Sequence, residues 1–256
     1  QHVESSLQEH WRFRKPASIH EAVEDIQQLS ASDVVAYLSA QAVILGSRMN
    51  LNDFDDLFGG DIMSLVYNIG RKLYINVTNK CTNRCIFCIR DTEAMKDYDL
   101  WLHGQQPTAK DIIEELPDLF GYDELVFCGF GEPLTYPDIV AEVASYVKDK
   151  REDMPIRINT NELINEGKDV LSRLKGLVDV MSISLNAESA EKYVQVCHPK
   201  QGEKAYEAII DFTKKCKGMF PKVMMSVVEI PEIDVDACAK VCSDLGVELR
   251  VRQKDS

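Results

Sequence analysis

The chain has 256 residues, 45% hydrophobic and 28% charged, with a net charge of -13 at pH 7; this is the composition of a globular protein with a sizeable core, not of a disordered or fibrous chain. The excess of acid repels phosphate backbones, which disfavours broad binding to nucleic acid or an anionic membrane without a local basic patch, and none longer than TKKCKG occurs. No apolar stretch approaches the roughly 20 residues of a membrane-spanning helix, and the N-terminal QHVESSLQEHWRFRKP has neither an apolar run nor a small-residue cleavage site, so the expectation is a cytoplasmic protein.

Residues 1–62 read as a helical appendage or incomplete module. SIHEAVEDIQQL opens with Ser18 and Glu21 at capping-box spacing and carries Ile19, Val23 and Ile26 at helical spacing. A second helical pattern follows in SDVVAYLSAQAVILGSRM, and the acidic NLNDFDDLFGG ends in a Gly pair that marks a boundary. From there to residue 256 strand and helix patterns alternate. Strands are expected at 72–78, 124–129, 156–160, 180–186, 222–228 and 248–252, and helices at 108–119, 138–150, 167–175, 188–197, 203–217 and 234–245. Several strands are nearly unbroken apolar runs, as in parallel strands covered on both faces. The helix from Asp138 is expected to bury Ile139, Val143, Tyr146 and Val147. Six βα units imply right-handed crossovers and a parallel sheet, open or curled into a barrel, with the chemistry at the C-terminal strand ends.

NKCTNRCIFC, directly behind the first of these strands, places Cys81, Cys85 and Cys88 in CxxxCxxC spacing. A cytosolic chain keeps thiols reduced, so clustered cysteines point to metal and scattered ones to packing. Structural zinc usually takes four ligands, and there is no second CxxC-type pair. A cubane held by three cysteines keeps one iron open for a substrate or cofactor. The alternatives are a structural zinc loop or reduced thiols.

This spacing, with Phe87 before the last cysteine, resembles the radical S-adenosylmethionine (radical SAM) enzymes. The resemblance implies a partial (βα)6 TIM-like barrel and a 4Fe-4S cluster on Cys81, Cys85 and Cys88. S-adenosylmethionine would chelate the open iron and be cleaved reductively to a 5'-deoxyadenosyl radical that abstracts hydrogen from a substrate, an oxidoreductase chemistry. CGFGEP resembles the family's GGE turn, so Gly129, Phe130, Gly131 and Glu132 are expected at the methionyl amino group, with Phe130 in place of the commoner second glycine. INTNE resembles a motif ending in Asn-Gly, which brings in Asn159 and Asn161, with Glu162 where the glycine stands. SISLNA puts Ser182, Ser184 and Asn186 on one face, and Ser184 and Asn186 resemble the ribose-binding position. Arg250 and Arg252 share a face of the last strand, as a clamp for a carboxylate or phosphate of cofactor or substrate, or as ion-pair partners of nearby acids.

The narrower resemblance is to the TatD-associated radical SAM proteins, through NKCTNRCIFCIRD, LWL, ELVFCGFGEP, RINTN, SISLNA and LRVR in this order. It implies association with a TatD-type hydrolase, an electron donor such as flavodoxin or ferredoxin, and an unidentified substrate, small molecule or peptide. KPASIHEAVEDIQQLS resembles the last helices of such a hydrolase only faintly. The rival classes are a non-catalytic metal-binding module and an iron-sulfur electron carrier. Cys197, Cys216, Cys238 and Cys242 lie on apolar stripes and are expected in the core as small hydrophobes, the alternative being a second metal centre. The long connection 89–108 is expected to be a lid or substrate segment in which Trp101 and His103 contact substrate or anchor the loop.

Overall fold

The computed structural model describes residues 64–92, 95, 98–161 and 170–254. All lie in the second of the two units into which the chain divides, Ile62–Ser256, so the helices expected over 1–62 lie outside the described residues. Seven strands, β1 (Val66–Ile69), β2 (Lys72–Ile75), β3 (Glu124–Phe127), β4 (Ile156–Thr160), β5 (Val180–Ser184), β6 (Lys222–Glu229) and β7 (Glu248–Gln253), form one sheet in sequential order. The strands from β2 to β7 are parallel, as the six expected strands require, and β1 pairs antiparallel with β2. β1 was not among the expected strands. Its two-residue connection, Gly70 and Arg71, turns through Gly70 at φ 58°, a position at which glycine pays no steric cost.

The helices α1 (Ala109–Glu114), α2 (Pro137–Lys150), α3 (Leu171–Leu174), α4 (Ala190–Cys197), α5 (Lys204–Cys216) and α6 (Val235–Leu245) fill the crossovers. α1 begins in a capping box between Thr108 and Asp111 and stops short of the expected 119, because Pro117 cannot continue it. The pattern expected over 167–175 is helical at Leu171–Leu174, with 167–169 outside the described residues. α2 buries Val140, Val143, Ala144 and Val147, so the stripe is turned slightly from the expected one and Ile139 and Tyr146 flank it.

Period-two alternation divides the sheet into two unlike faces. Leu73, Ile75, Leu125, Phe127, Ile156, Ile158, Met181, Ile183, Met225 and Val227 join the helices in one core. The opposite row runs Val126, Arg157, Val180 and, one step further along the strands, Asn159, Ser182, Met224, then Ser184, Ser226, Arg250. The expectation of strands apolar on both faces is therefore corrected: the second face is largely polar toward the C-terminal strand ends. Low on this face Arg157, 3% exposed, makes a fork to Glu124 at 2.9 and 3.1 Å, and Lys72 reaches the same carboxylate at 2.8 Å.

Candidate active site

The expected site residues come from loops that leave one end of the sheet. β2 runs into the cysteine loop 79–88, β3 into Gly129–Pro133, β4 into Asn161 and β5 into Asn186. This is the end at which parallel α/β sheets carry their ligands.

The cysteine loop is held in place by the main chain of α4. Arg84 N–H donates to Cys197 O at 2.8 Å, Ile86 N–H to Val196 O at 2.9 Å, and Lys200 N–H returns to Thr82 O at 3.0 Å. Asn83 Nδ2 donates to the buried Tyr193 hydroxyl at 2.7 Å. All three thiols are free and half-buried. Cys81 Sγ accepts from Asn83 N–H at 3.4 Å and from Asn161 Nδ2 at 3.3 Å, and Cys88 Sγ from Arg90 Nε at 3.2 Å. Cys85 pairs with the thiol of Cys197, and this contact, followed by burial, pushes its pKa well above the usual thiol range. Burial likewise raises Cys81, against the bond from Asn83. Among the described residues no three metal-ligating side chains form a ready-made ion site. Cys81 and Cys85 are thus favoured as neutral thiols, and deprotonation accompanies metal binding at cysteine sites generally.

The turn behind β3 is a steric fit to the cysteine loop. A Cβ on Gly131 would stand 2.2 Å from Thr78 O and 2.7 Å from Lys80 O, and one on Gly129 2.1 Å from Asn76 Oδ1. Neither glycine has a positive φ, so space and not backbone conformation demands them. Phe130, between them, is 5% exposed, donates its N–H to Asn76 Oδ1 at 3.1 Å and meets Trp101 edge-on at 5.1 Å between ring centroids. Glu132 is 2% exposed. One carboxylate oxygen accepts from Leu134 N–H at 3.0 Å and Thr160 Oγ1 at 2.7 Å, the other from Asn161 N–H at 2.7 Å. Its N–H donates to Lys80 O at 2.8 Å. Glu132 thus joins the β2, β3 and β4 loops.

Asn161 follows β4 and Asn186 follows β5, the latter at φ 55°, a left-handed conformation that asparagine tolerates. Among the described residues the Oδ1 atoms of both are buried with no hydrogen-bond partner, as are Thr82 Oγ1 and Asn83 Oδ1. Orphaned acceptors at a strand end call for donors from outside the chain, and an amino group and ribose hydroxyls are such donors. Three soft thiolates suit an iron-sulfur cluster. Both halves of the site therefore fit the cofactor pair. Asn159 accepts from Arg157 at 3.0 Å, Ser184 is half-buried in the polar row, and Phe87 is 7% exposed in the core. Arg250 is exposed and lines a cleft that Phe87 also lines.

Several positioning residues escaped the sequence reading. Asn76 and Asn79 both donate to Leu100 O, at 2.8 and 2.9 Å, and Asn79 Oδ1 accepts from Leu102 N–H at 2.6 Å. Gln106 bonds Thr78 Oγ1 and Val77 O. Leu100 and Leu102, 0% and 1% exposed, add about 2 kcal/mol each in burial, so this part of the loop is anchored and Trp101, 46% exposed, faces outward between them. The signal available was the LWL alternation itself. Cys216, Cys238 and Cys242 are buried in the core. Cys197 is buried too, but beside Cys85, which its helical stripe did not foretell.

A sheet of six sequential parallel strands carrying a three-cysteine loop behind the first, a glycine-glutamate turn behind the second and orphaned amides behind the third and fourth defines a cofactor-dependent α/β enzyme. The Radical SAM superfamily profile matches residues 75–241, and the chain belongs to that superfamily. Its cofactors are a 4Fe-4S cluster and S-adenosylmethionine. A protein of Methanocaldococcus jannaschii named "Probable GTP 3',8-cyclase" is 27% identical over 205 residues, 77% of this chain and 60% of that protein, so the chain spans about three fifths of this relative. SuiB of Streptococcus suis bound to S-adenosylmethionine superposes with a TM-score of 0.56 at 16% identity, over 88% of this chain and 51% of SuiB. The hydrogenase maturase HydG of Carboxydothermus hydrogenoformans gives 0.52 at 14%, over 92% and 59%. Both share the fold, a partial TIM barrel.

Proposed function

We propose that this chain binds S-adenosylmethionine against a cluster held by Cys81, Cys85 and Cys88 and uses it to abstract hydrogen from a substrate. One observation carries the reading: Asn161 gives its backbone N–H to Glu132 and its side-chain N–H to Cys81, which brings the cysteine loop, the glycine-glutamate turn and the end of β4 to one point. When bound, the cluster supplies the electron that splits the sulfonium into methionine and a 5'-deoxyadenosyl radical.

The chain's own residues bind and orient. Gly129 and Gly131 leave room for the turn to lie against the cysteine loop, and its backbone, with Phe130 N–H already engaged by Asn76, faces the methionyl amino group. Glu132 holds that turn through three accepted bonds. Asn161, Asn186 and Ser184 accept from the amino group and the ribose, with Asn159 behind them, fixed by Arg157. Phe87 closes the apolar side, and Arg250 takes a carboxylate. The electron donor is a flavodoxin or ferredoxin. The motif order supports reading the chain as one of the TatD-associated group, with a TatD-type hydrolase as partner, 1–62 as a separate helical module and the cytoplasm as its location.

The test is anaerobic reconstitution with iron and sulfide, reduction, and a search for 5'-deoxyadenosine. The wild-type chain is expected to form it and Cys85→Ala to form none. Tetrahedral zinc in the oxygen-protected protein, or a cluster whose spectrum ignores added S-adenosylmethionine, would replace this reading with the metal-binding module or the electron carrier.

A further inference from the structure

Folding assembles a positive patch that no single stretch of the sequence contains. The cysteine loop 79–88 carries Lys80 and Arg84 and no acid. The segment 196–204 is joined to that loop by three main-chain bonds, from Arg84 N–H to Cys197 O, Ile86 N–H to Val196 O and Lys200 N–H to Thr82 O. It adds Lys200 and Lys204 against one acid, Glu203. Arg84 and Lys200 thus stand side by side, with Lys80 and Lys204 further along the two segments, and all four side chains are exposed. Among the described residues no carboxylate pairs with any of them. Lys80 Nζ donates to the Tyr136 hydroxyl at 2.6 Å and lies over that ring, which holds the side chain without cancelling its charge. In a chain of net charge -13 this is a local reversal of sign, and it falls on the loop that carries the three thiols. The same loop leaves Ile86 48% exposed between Cys85 and Cys88, an apolar contact point among the cations.

We propose that this patch is the docking surface for an acidic one-electron carrier protein, whose carboxylates meet Lys80, Arg84, Lys200 and Lys204 and whose redox group comes to rest against Ile86. Reading the partner as a reductant rests on the function proposed above; the positive surface itself does not. In the step it serves, the carrier is oxidised by one electron and the cluster reduced by one, with no bond made or broken. Two acidic proteins repel each other over most of their surfaces, so the face with reversed sign both speeds encounter and fixes its orientation. That orientation brings the carrier to the loop that ligates the cluster. A nucleic acid fits less well, because four cations give few phosphate contacts and the acidic remainder of the chain repels the backbone beyond them.

Stopped-flow reduction of the reconstituted full chain by flavodoxin hydroquinone tests this, set against photoreduced 5-deazariboflavin, a small uncharged reductant. The bimolecular rate constant with flavodoxin is expected to fall as salt is raised. The paired substitution R84E and K200E should lower it about tenfold or more, with the deazariboflavin rate, the iron content and the thermal midpoint unchanged, while R84K with K200R retains most of it. K150E with K175E makes the same change of net charge at the helix ends that lead toward β4 and β5, and should have a much smaller effect. Titration calorimetry of the oxidised pair, which involves no electron transfer, should rank the variants in the same order. A flavodoxin rate indifferent to salt or to R84E and K200E, an equal loss with K150E and K175E, or capture of a short single-stranded RNA by the patch in preference to flavodoxin would overturn the proposal. Formation of 5'-deoxyadenosine with deazariboflavin as reductant judges the radical chemistry separately.

Discussion

Gly131 lies so close to Thr78 that a single added carbon would stand 2.2 Å from the Thr78 carbonyl oxygen. The obstacle is main chain, which cannot swing aside as a side chain would. Gly131→Ala is therefore expected to destabilise the protein by about 3 kcal/mol or more, read as a shift of the urea midpoint, and to block cluster reconstitution. A Gly131→Ala protein with unaltered midpoint and full iron content would show that the two loops do not meet as described.

Two N–H groups and a hydroxyl donate to the two oxygens of Glu132. An amide would turn an NH2 toward at least one of them. Glu132→Gln should cost about 2 kcal/mol in denaturant melts, and protease cleavage in the Gly129–Pro133 turn should accelerate. An isosteric change with no such cost would mean that the carboxylate is not the joint between the three loops.

Cys197 separates packing from ligation. It is buried and touches Cys85, yet three other thiols complete the expected ligand set. Cys197→Ala is expected to lower stability by about 1 kcal/mol and to leave the iron content per chain unchanged, whereas Cys85→Ala and Cys88→Ala lose the cluster. Iron loss in Cys197→Ala would make this residue a ligand.

The acid limb of stability should contain a contribution from Glu124. Burial opposes its ionisation, but the bonds from Arg157 and Lys72 outweigh that and hold its carboxyl below the ordinary 4.5. The unfolded chain then takes up the proton first, so the stabilisation is complete above pH 4.5 and is lost as pH falls through the folded value. Glu124→Gln, which also leaves the buried Arg157 without its carboxylate, should cost about 2 kcal/mol near pH 7, discounted because the Lys72 side chain in the cluster is 46% exposed. Urea melts at pH about 7 and about 3 check it: the gap between wild type and variant should narrow at the lower value.

Much of the fold could be read from the residues because parallel strands and amphipathic helices announce themselves by period. β4 was placed to the residue, and α4, α5 and α6 to within two. β1 was missed because VYNI is short, and its pairing depends on a turn centred on Gly70 that no hydrophobic period reveals. The two-faced sheet was half visible: Ser182 and Ser184 gave the polar side of β5, but Arg157 and Ser226 sit inside runs that read as apolar. The site motifs were legible as spacings. What spacing could not reveal is who touches whom across the chain, such as Asn79 with Leu102 or Cys85 with Cys197, since those pairs are set by the register of strands and the length of crossovers.

The backbone bonds from Arg84 and Ile86 to Cys197 and Val196, with the Asn83 to Tyr193 contact spanning 110 positions, give the ribosome a part in the chemistry. While the nascent polypeptide ends before α4, the cysteine segment lacks the scaffold on which it rests. Iron delivery to a properly shaped ligand set must wait for synthesis of the fourth helical crossover, and shortened versions that stop before it will emerge with the cysteine trio unsupported.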